Sequence, residues 1–238
     1  MKRFLWLIRL SVGSLACGVI AGCATVPGDR IDNIPMYGQP SIPRPEILKL
    51  ADDAFIVSAS AGLGSRENAS KAWAAQGDRF MGEGNFDFAM RRYNQSWLLN
   101  PNNFQPYWGF GRVLLEFGKL DEALEHFETA NKLVDDPFQK VALLADTATA
   151  YSTKGSRTSV DNTNERSKYF ALANQHYEES VRLDASYPNS WRSWARSLYF
   201  EGRYAEAWDR VKKAKALNAP AFPPAFIRAL EEKFPEPK

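Results

Sequence analysis

Residues 73–106 read WAAQGDRFMGEGNFDFAMRRYNQSWLLNPNNFQP, and residues 107–140 read YWGFGRVLLEFGKLDEALEHFETANKLVDDPFQK. Laid one over the other, Trp73, Gly77, Gly84, Phe86, Ala89 and Tyr93 fall on Tyr107, Gly111, Gly118, Leu120, Ala123 and Phe127. Small residues meet small ones and large apolar residues meet large ones at a constant spacing of 34. The spacing predicts two helices per unit. Gly77 and Ala89 are small where the two helices cross closely, while Trp73, Phe80 and Tyr93 fill the space beside that contact. Gly84 and Gly118 sit where a tight turn must reverse the chain. Pro101 ends one helix pair and opens the next.

This 34-residue ruler resembles the tetratricopeptide repeat, TPR. The resemblance rests on Trp73-x-x-Gln76-Gly77-x-x-Phe80, Ala89-x-x-x-Tyr93 and Pro101, and on the second unit's Tyr107-x-x-Phe110-Gly111-x-x-Leu114 and Ala123-x-x-x-Phe127-x-x-Ala130. It implies an all-α, right-handed solenoid of about four helix-turn-helix repeats. Further along, Leu144, Ala145 and Ala148 stand 34 residues after Phe110, Gly111 and Leu114. The second-helix positions Ala173, Tyr177 and Ser180 instead lie 50 residues after theirs, so the third unit carries 16 extra residues. These are expected around 152–167, in a polar run read as a solvated loop or a partner-facing flap. The fourth unit holds Trp191, Trp194, Ala195, Leu198, Gly202 and Tyr204.

The expected organisation is an N-terminal helix over 46–69, repeats over 70–103, 104–137, 138–187 and 188–221, and a capping helix over 222–238. Phe226, Ile227, Leu230 and Phe234 give that last segment helical periodicity, as Ile47, Leu50, Ala51, Ala54 and Phe55 do for the first.

The chain has 238 residues and a formal charge of +2. Lys2, Arg3 and Arg9 lie in an acid-free opening, and without them 27 basic residues face 28 acidic ones. That balance gives no electrostatic footprint for nucleic acid. Lys2 and Arg3 precede an apolar stretch from Phe4 to Ile20, and Ile20-Ala21-Gly22-Cys23 follows. These features resemble a lipoprotein signal peptide and lipobox. The resemblance implies cleavage after Gly22, diacylglycerol on Cys23 and, with Ala24 next, the outer membrane of a Gram-negative envelope, facing the periplasm. The alternative is an uncleaved transmembrane helix, against which Arg9 and the small residues before Cys23 argue. Cys17 and Cys23 are the only cysteines, so the repeats hold neither disulfides nor thiol ligands. Residues 23–45, with five prolines, read as a semi-rigid tether lifting the domain off the membrane, the alternative being that Tyr37 and Ile42 dock the segment onto the domain.

No phosphate loop, nucleophile elbow or paired-histidine metal motif is present in the sequence. His126 and His176 occupy equivalent repeat positions, each just before a core aromatic residue, so repeat equivalence accounts for both. No catalytic residue, metal, cofactor or small-molecule ligand is expected. By resemblance, inward-looking positions are Gln105, Trp108, Arg112, Leu115 and Glu116 in the second unit, and Asn189, Arg192, Arg196, Tyr199 and Phe200 in the fourth. Trp108 either faces the groove as an interface anchor or packs on a neighbouring repeat. The arginines suit carboxylates of a peptide. The family's chaperone-binding pattern is not matched at Ala74 and Asp78. The resulting expectation is a non-enzymatic, membrane-anchored adaptor binding a protein partner, resembling pilotin-like and outer-membrane-assembly lipoproteins. The alternatives are a regulatory subunit recruiting a periplasmic enzyme, such as a cell-wall hydrolase, and an enzyme built on the solenoid.

Overall fold

A computed structural model describes residues 30–237. Cys23 and the apolar run before it lie outside these residues. Among the described residues ten α-helices follow one another: α1 (Glu46–Leu63), α2 (Arg66–Gly82), α3 (Phe86–Leu99), α4 (Phe104–Glu116), α5 (Leu120–Leu133), α6 (Pro137–Arg157), α7 (Thr163–Leu183), α8 (Pro188–Glu201), α9 (Tyr204–Ala216) and α10 (Pro224–Lys233). Helices α2 and α3, α4 and α5, α6 and α7, and α8 and α9 pair as antiparallel hairpins that stack in sequence order. Half of the starts are set by a side chain that satisfies an otherwise orphaned amide. Asn85 accepts from Phe88 N, Asn103 from Gln105 N, Asp136 from Phe138 N, and Asn162 from Glu165 N. The boundary between α1 and α2 falls at Gly64–Ser65, where the Ser65 hydroxyl accepts from Asn68 N, so the first helix of the first pair starts ahead of residue 70. Gly84 and Gly118 turn between paired helices at φ +72° and +74°, a region that a side chain disfavours.

The core runs as two continuous clusters. The first gathers Tyr93, Phe110, Phe127 and Leu143, and the second gathers Tyr177, Trp194, Leu198, Trp208 and Leu230. Tyr93 shows why the repeat needs glycine. Its ring, fully buried, lies against Gly77 on one side and Gly109 on the other. A Cβ at Gly77 would stand 2.6 Å from Tyr93 Cδ1, and one at Gly109 2.5 Å from the same atom. Gly111 meets Phe127 in the same way one repeat later. At the far end α10 closes the stack: Leu230 is fully buried and the Trp208 indole donates to the Phe234 carbonyl at 2.8 Å.

Two expectations are corrected. The extra residues of the third unit do not form a loop. Helices α6 and α7 are each 21 residues long, against 13 and 14 for α4 and α5, and the connection spans only 158–162. Lys154 pairs with Asp121 across to α5, and Arg166 donates to the Gly155 carbonyl (3.0 Å) and the Phe200 carbonyl (2.6 Å). Phe170 of α7, just beyond the added residues, is buried. These ties recover the backbone hydrogen bonds and packing that a polar loop would leave to water.

The tether expectation fails for residues 30–45, which dock against α3. Asn94, fully buried, donates to the Asp32 and Ile34 carbonyls at 2.9 Å each and accepts from Tyr37 N at 3.3 Å. Arg91 pairs with Asp32 at 3.2 Å. Arg44 pairs with Asp52 of α1 at 2.7 Å and lies over the Tyr37 ring at 3.9 Å. Tyr37 is buried, which pushes its phenol up to about 12. Proline explains the reversal, because a segment with few unfolded conformations loses little entropy on docking. The outward face of α1 remains apolar: Ile47, Leu50 and Val57 are 72%, 61% and 71% exposed.

Candidate functional site

The first helices of the four pairs, α2, α4, α6 and α8, lie side by side. Stacking of helix pairs curves such an array, and its first helices line the inner face. Three of the sequence-derived candidates meet neighbours along that face. Gln105 of α4 reaches Gln139 of α6 at 3.5 Å. Trp108, half-buried and stacked on Phe104, donates its indole N–H to Asp146 of α6 at 2.8 Å. Arg112 pairs with Asp78 of α2 at 3.0 Å and lies 6.0 Å from the Trp108 ring. Asp78 also accepts from the Tyr93 hydroxyl at 2.9 Å, which ties the groove surface to the core. Burial raises the Asp146 carboxyl above the usual range, and the Trp108 N–H and Arg112 charge oppose that shift. Trp108 therefore joins two repeats while leaving part of its surface on the face.

The fourth-unit candidates divide. Arg196 is exposed and engages no carboxylate among the described residues. Asn189, also exposed, reaches only the Tyr187 hydroxyl at 3.5 Å. Arg192 and Tyr199 belong to the C-terminal joint instead. Arg192 donates to the Pro220 and Ala221 carbonyls at 3.0 and 3.4 Å, with its guanidinium 5.7 Å from the Phe222 ring. Tyr199 meets Phe226 and Tyr204 with ring centroids at 5.6 and 5.7 Å. The spacing located both on α8 but carried no information about the segment that returns over them.

Sequence reasoning missed the acidic partners Asp78 and Asp146 and a set of hydroxyls between α6 and α8. The signal for the latter is Thr149, Thr153 and Ser156 on α6 with Ser193 and Ser197 on α8, small polar residues at helical spacing on facing helices. The two histidines are packing groups. His126 lies 5.3 Å from the Phe110 ring and His176 stacks on Tyr151 at 5.5 Å. Burial lowers both, His126 to about 4.

Helix pairs of this length, stacked in order with glycine at the crossing and an aromatic ring against it, decide the architecture. The fold is that of the tetratricopeptide repeat. Solved TPR structures agree. A thermophilic TPR protein of Thermus thermophilus, TTC0263, superposes with a TM-score of 0.57 at 19% identity, over 69% of this chain and 81% of its own. PilF of Pseudomonas aeruginosa gives 0.53 at 18%, over 79% and 86%. The Cut9–Hcn1 structure of the APC/C gives 0.55 at 17%, over 77% of this chain and 36% of that one. No protein-family profile matches the chain, and no curated protein sequence does. The likeness is thus one of fold. Among the described residues of this TPR domain, no helix is long and apolar enough to cross a membrane.

Proposed function

We propose that this chain is a non-catalytic adaptor that holds a segment of a partner protein along the inner face of its TPR stack, while a lipid on Cys23 holds it to the envelope membrane facing the periplasm. The observation that carries the binding half is Arg196. It is a cation of the first helix α8 with no carboxylate partner among the described residues, whereas Arg112 and Arg192 are engaged within the fold. Trp108 adds aromatic surface in the middle of that face. The membrane half rests on the sequence of residues 2–23 alone.

The cleanest test uses Arg196→Ala, because its side chain is exposed and makes no hydrogen bond or ion pair among the described residues. Trp108→Ala is less clean, since it would strand the buried Asp146 carboxyl. Crosslinking and affinity capture of the full chain in its own envelope should recover one protein, in amounts sharply reduced by Arg196→Ala. Cys23→Ser should shift the chain from the membrane to the soluble fraction. Capture unchanged by Arg196→Ala removes the inner-face assignment. Membrane retention of Cys23→Ser removes the lipid anchor.

A further inference from the structure

Between α6 and α8 a cavity of about 60 Å³ opens beside Arg196, walled by Ser152 and Ser156 of α6, Tyr177 of α7, and Ser193 and Ser197 of α8. Two independent features mark it. Ser197 is fully buried, and its hydroxyl finds no hydrogen-bond partner in the fold. Buried hydroxyls are nearly always satisfied, so an orphan in a cavity wall asks for a ligand group. Arg196, at the same cavity, brings a guanidinium that no carboxylate among the described residues engages.

We propose that this cavity seats a single carboxylate of the bound polypeptide, paired with the Arg196 guanidinium and hydrogen-bonded by the Ser197 hydroxyl. The inference rests on the adaptor reading and adds to it the chemistry of the anchoring contact. Charge selects the ligand. One guanidinium and neutral hydroxyls suit one negative charge. A phosphate dianion would bring a second negative charge, for which the cavity wall holds no second cation. Size agrees, since a cavity of this volume admits a group of a few heavy atoms. Phe200, 45% exposed, also lines the site and offers an apolar surface to the residue that carries the carboxylate. Three α6 residues of the site, Ser152, Thr153 and Ser156, lie where the sequence ruler places the extra residues, so the lengthened helix builds one wall.

The carboxylate can belong to a chain end or to an acidic side chain, and small probes separate the two. N-acetyl-leucine carries the first, N-acetylglutamate α-amide the second, and N-acetyl-leucinamide neither. Each is titrated into the ¹⁵N-labelled full chain in mild detergent, with the arginine Nε–H and the amides of residues 193–200 observed by NMR. At least one carboxylate probe should shift these signals saturably, and the amide should not. Arg196→Gln should weaken that binding about tenfold or more, and Ser197→Ala by a few-fold. Arg228→Gln, an exposed arginine on α10, should leave it unchanged. The proposal is overturned by absence of saturation up to about 50 mM, by binding indifferent to Arg196→Gln, or by inorganic phosphate binding more tightly than either carboxylate. These titrations need no partner protein. Carboxylate binding with failed partner capture would sink the adaptor reading alone, and capture without carboxylate binding would sink this one alone.

Discussion

Gly77→Ala adds one methyl group to the middle of α2 at the point where Tyr93 comes closest. Two effects oppose each other. Alanine is favoured over glycine inside a helix by about 1 kcal/mol. Against this, the new Cβ would stand 2.6 Å from Tyr93 Cδ1, well inside contact distance. The ring has no easy retreat, because Gly109 crowds its other side and its hydroxyl is fixed to Asp78, itself paired with Arg112. Overpacking of this kind costs about 1–3 kcal/mol, and a ring held on both sides belongs near the top of that range. The net expectation is a loss of about 1–2 kcal/mol. Gly82→Ala is the control. It lies at the end of the same helix, and a Cβ there meets nothing within 4 Å. Its effect should be neutral or a gain of up to about 1 kcal/mol. Urea unfolding followed by circular dichroism should move the two midpoints in opposite directions from wild type. A Gly77→Ala protein as stable as the Gly82→Ala protein would refute the close-approach argument.

Three other expectations follow from contacts described above. Asn94→Ala removes three hydrogen bonds that hold residues 32–37 on α3, so hydrogen exchange at the Tyr37 amide should accelerate and stability fall by about 1–3 kcal/mol; protection unchanged at Tyr37 would mean the segment is held by something else. His126 is depressed to about 4 in the fold against about 6.5 in the unfolded chain, so between those pH values the unfolded chain binds the extra proton. The stabilising effect of keeping it neutral is complete above about pH 6.5 and fades as pH falls towards 4, a loss of about 2–3 kcal/mol. Urea midpoints for His126→Gln should therefore depend less on pH than those of wild type, and parallel pH profiles would contradict the burial argument. Arg166→Ala frees the Gly155 and Phe200 carbonyls, so exchange at the C-terminal turns of α6 and α8 should rise while that of α4 stays constant.

How much of this was readable in advance depends on whether a residue's partner lies on the periodic ruler. Tyr93 against Gly77, and Phe127 against Gly111, were legible because both members of each contact recur at the 34-residue spacing. The extra residues of the third unit were counted correctly from Ala123 and Ala173, yet their state was misread. Their polarity suggests a loop, but a helix ridge facing the inner side of a solenoid is polar as well, and the one apolar residue of 152–167, Val160, lies in the connection itself. The docking of residues 30–45 was hidden for another reason: Asn94 and Arg91 look like surface residues of α3 until the segment they hold is known. At the candidate site, Arg196 was named from its repeat position. Arg192 was named by the same rule, although a non-periodic segment, 220–222, takes up its hydrogen bonds. Asp146 could not have been selected, because only the side-by-side arrangement of the first helices gives it its neighbour, whereas Ser197 left a trace in the helical spacing of small polar residues on α6 and α8.

The lengthening of α6 and α7 by eight and seven residues has a consequence for which chain lengths this region can tolerate. An α-helix completes two turns in about seven residues and rises about 11 Å in doing so. Both arms of the hairpin have therefore grown by nearly whole turns and by nearly equal amounts, which preserves the phase of each helix beyond the point of growth. Changes in length here are quantised. A single residue removed just ahead of Ser152 would rotate everything after it by about 100°, swinging Ser152, Thr153 and Ser156 away from α8 and Phe170's partner Gly155 out of register. Removal of about seven residues from each arm together would instead shorten the hairpin to the height of its neighbours with its remaining faces correctly aimed. Among natural or designed variants of this chain, length differences at this hairpin should thus come in matched steps of about two turns per arm, and odd single insertions should gather in the connection at 158–162.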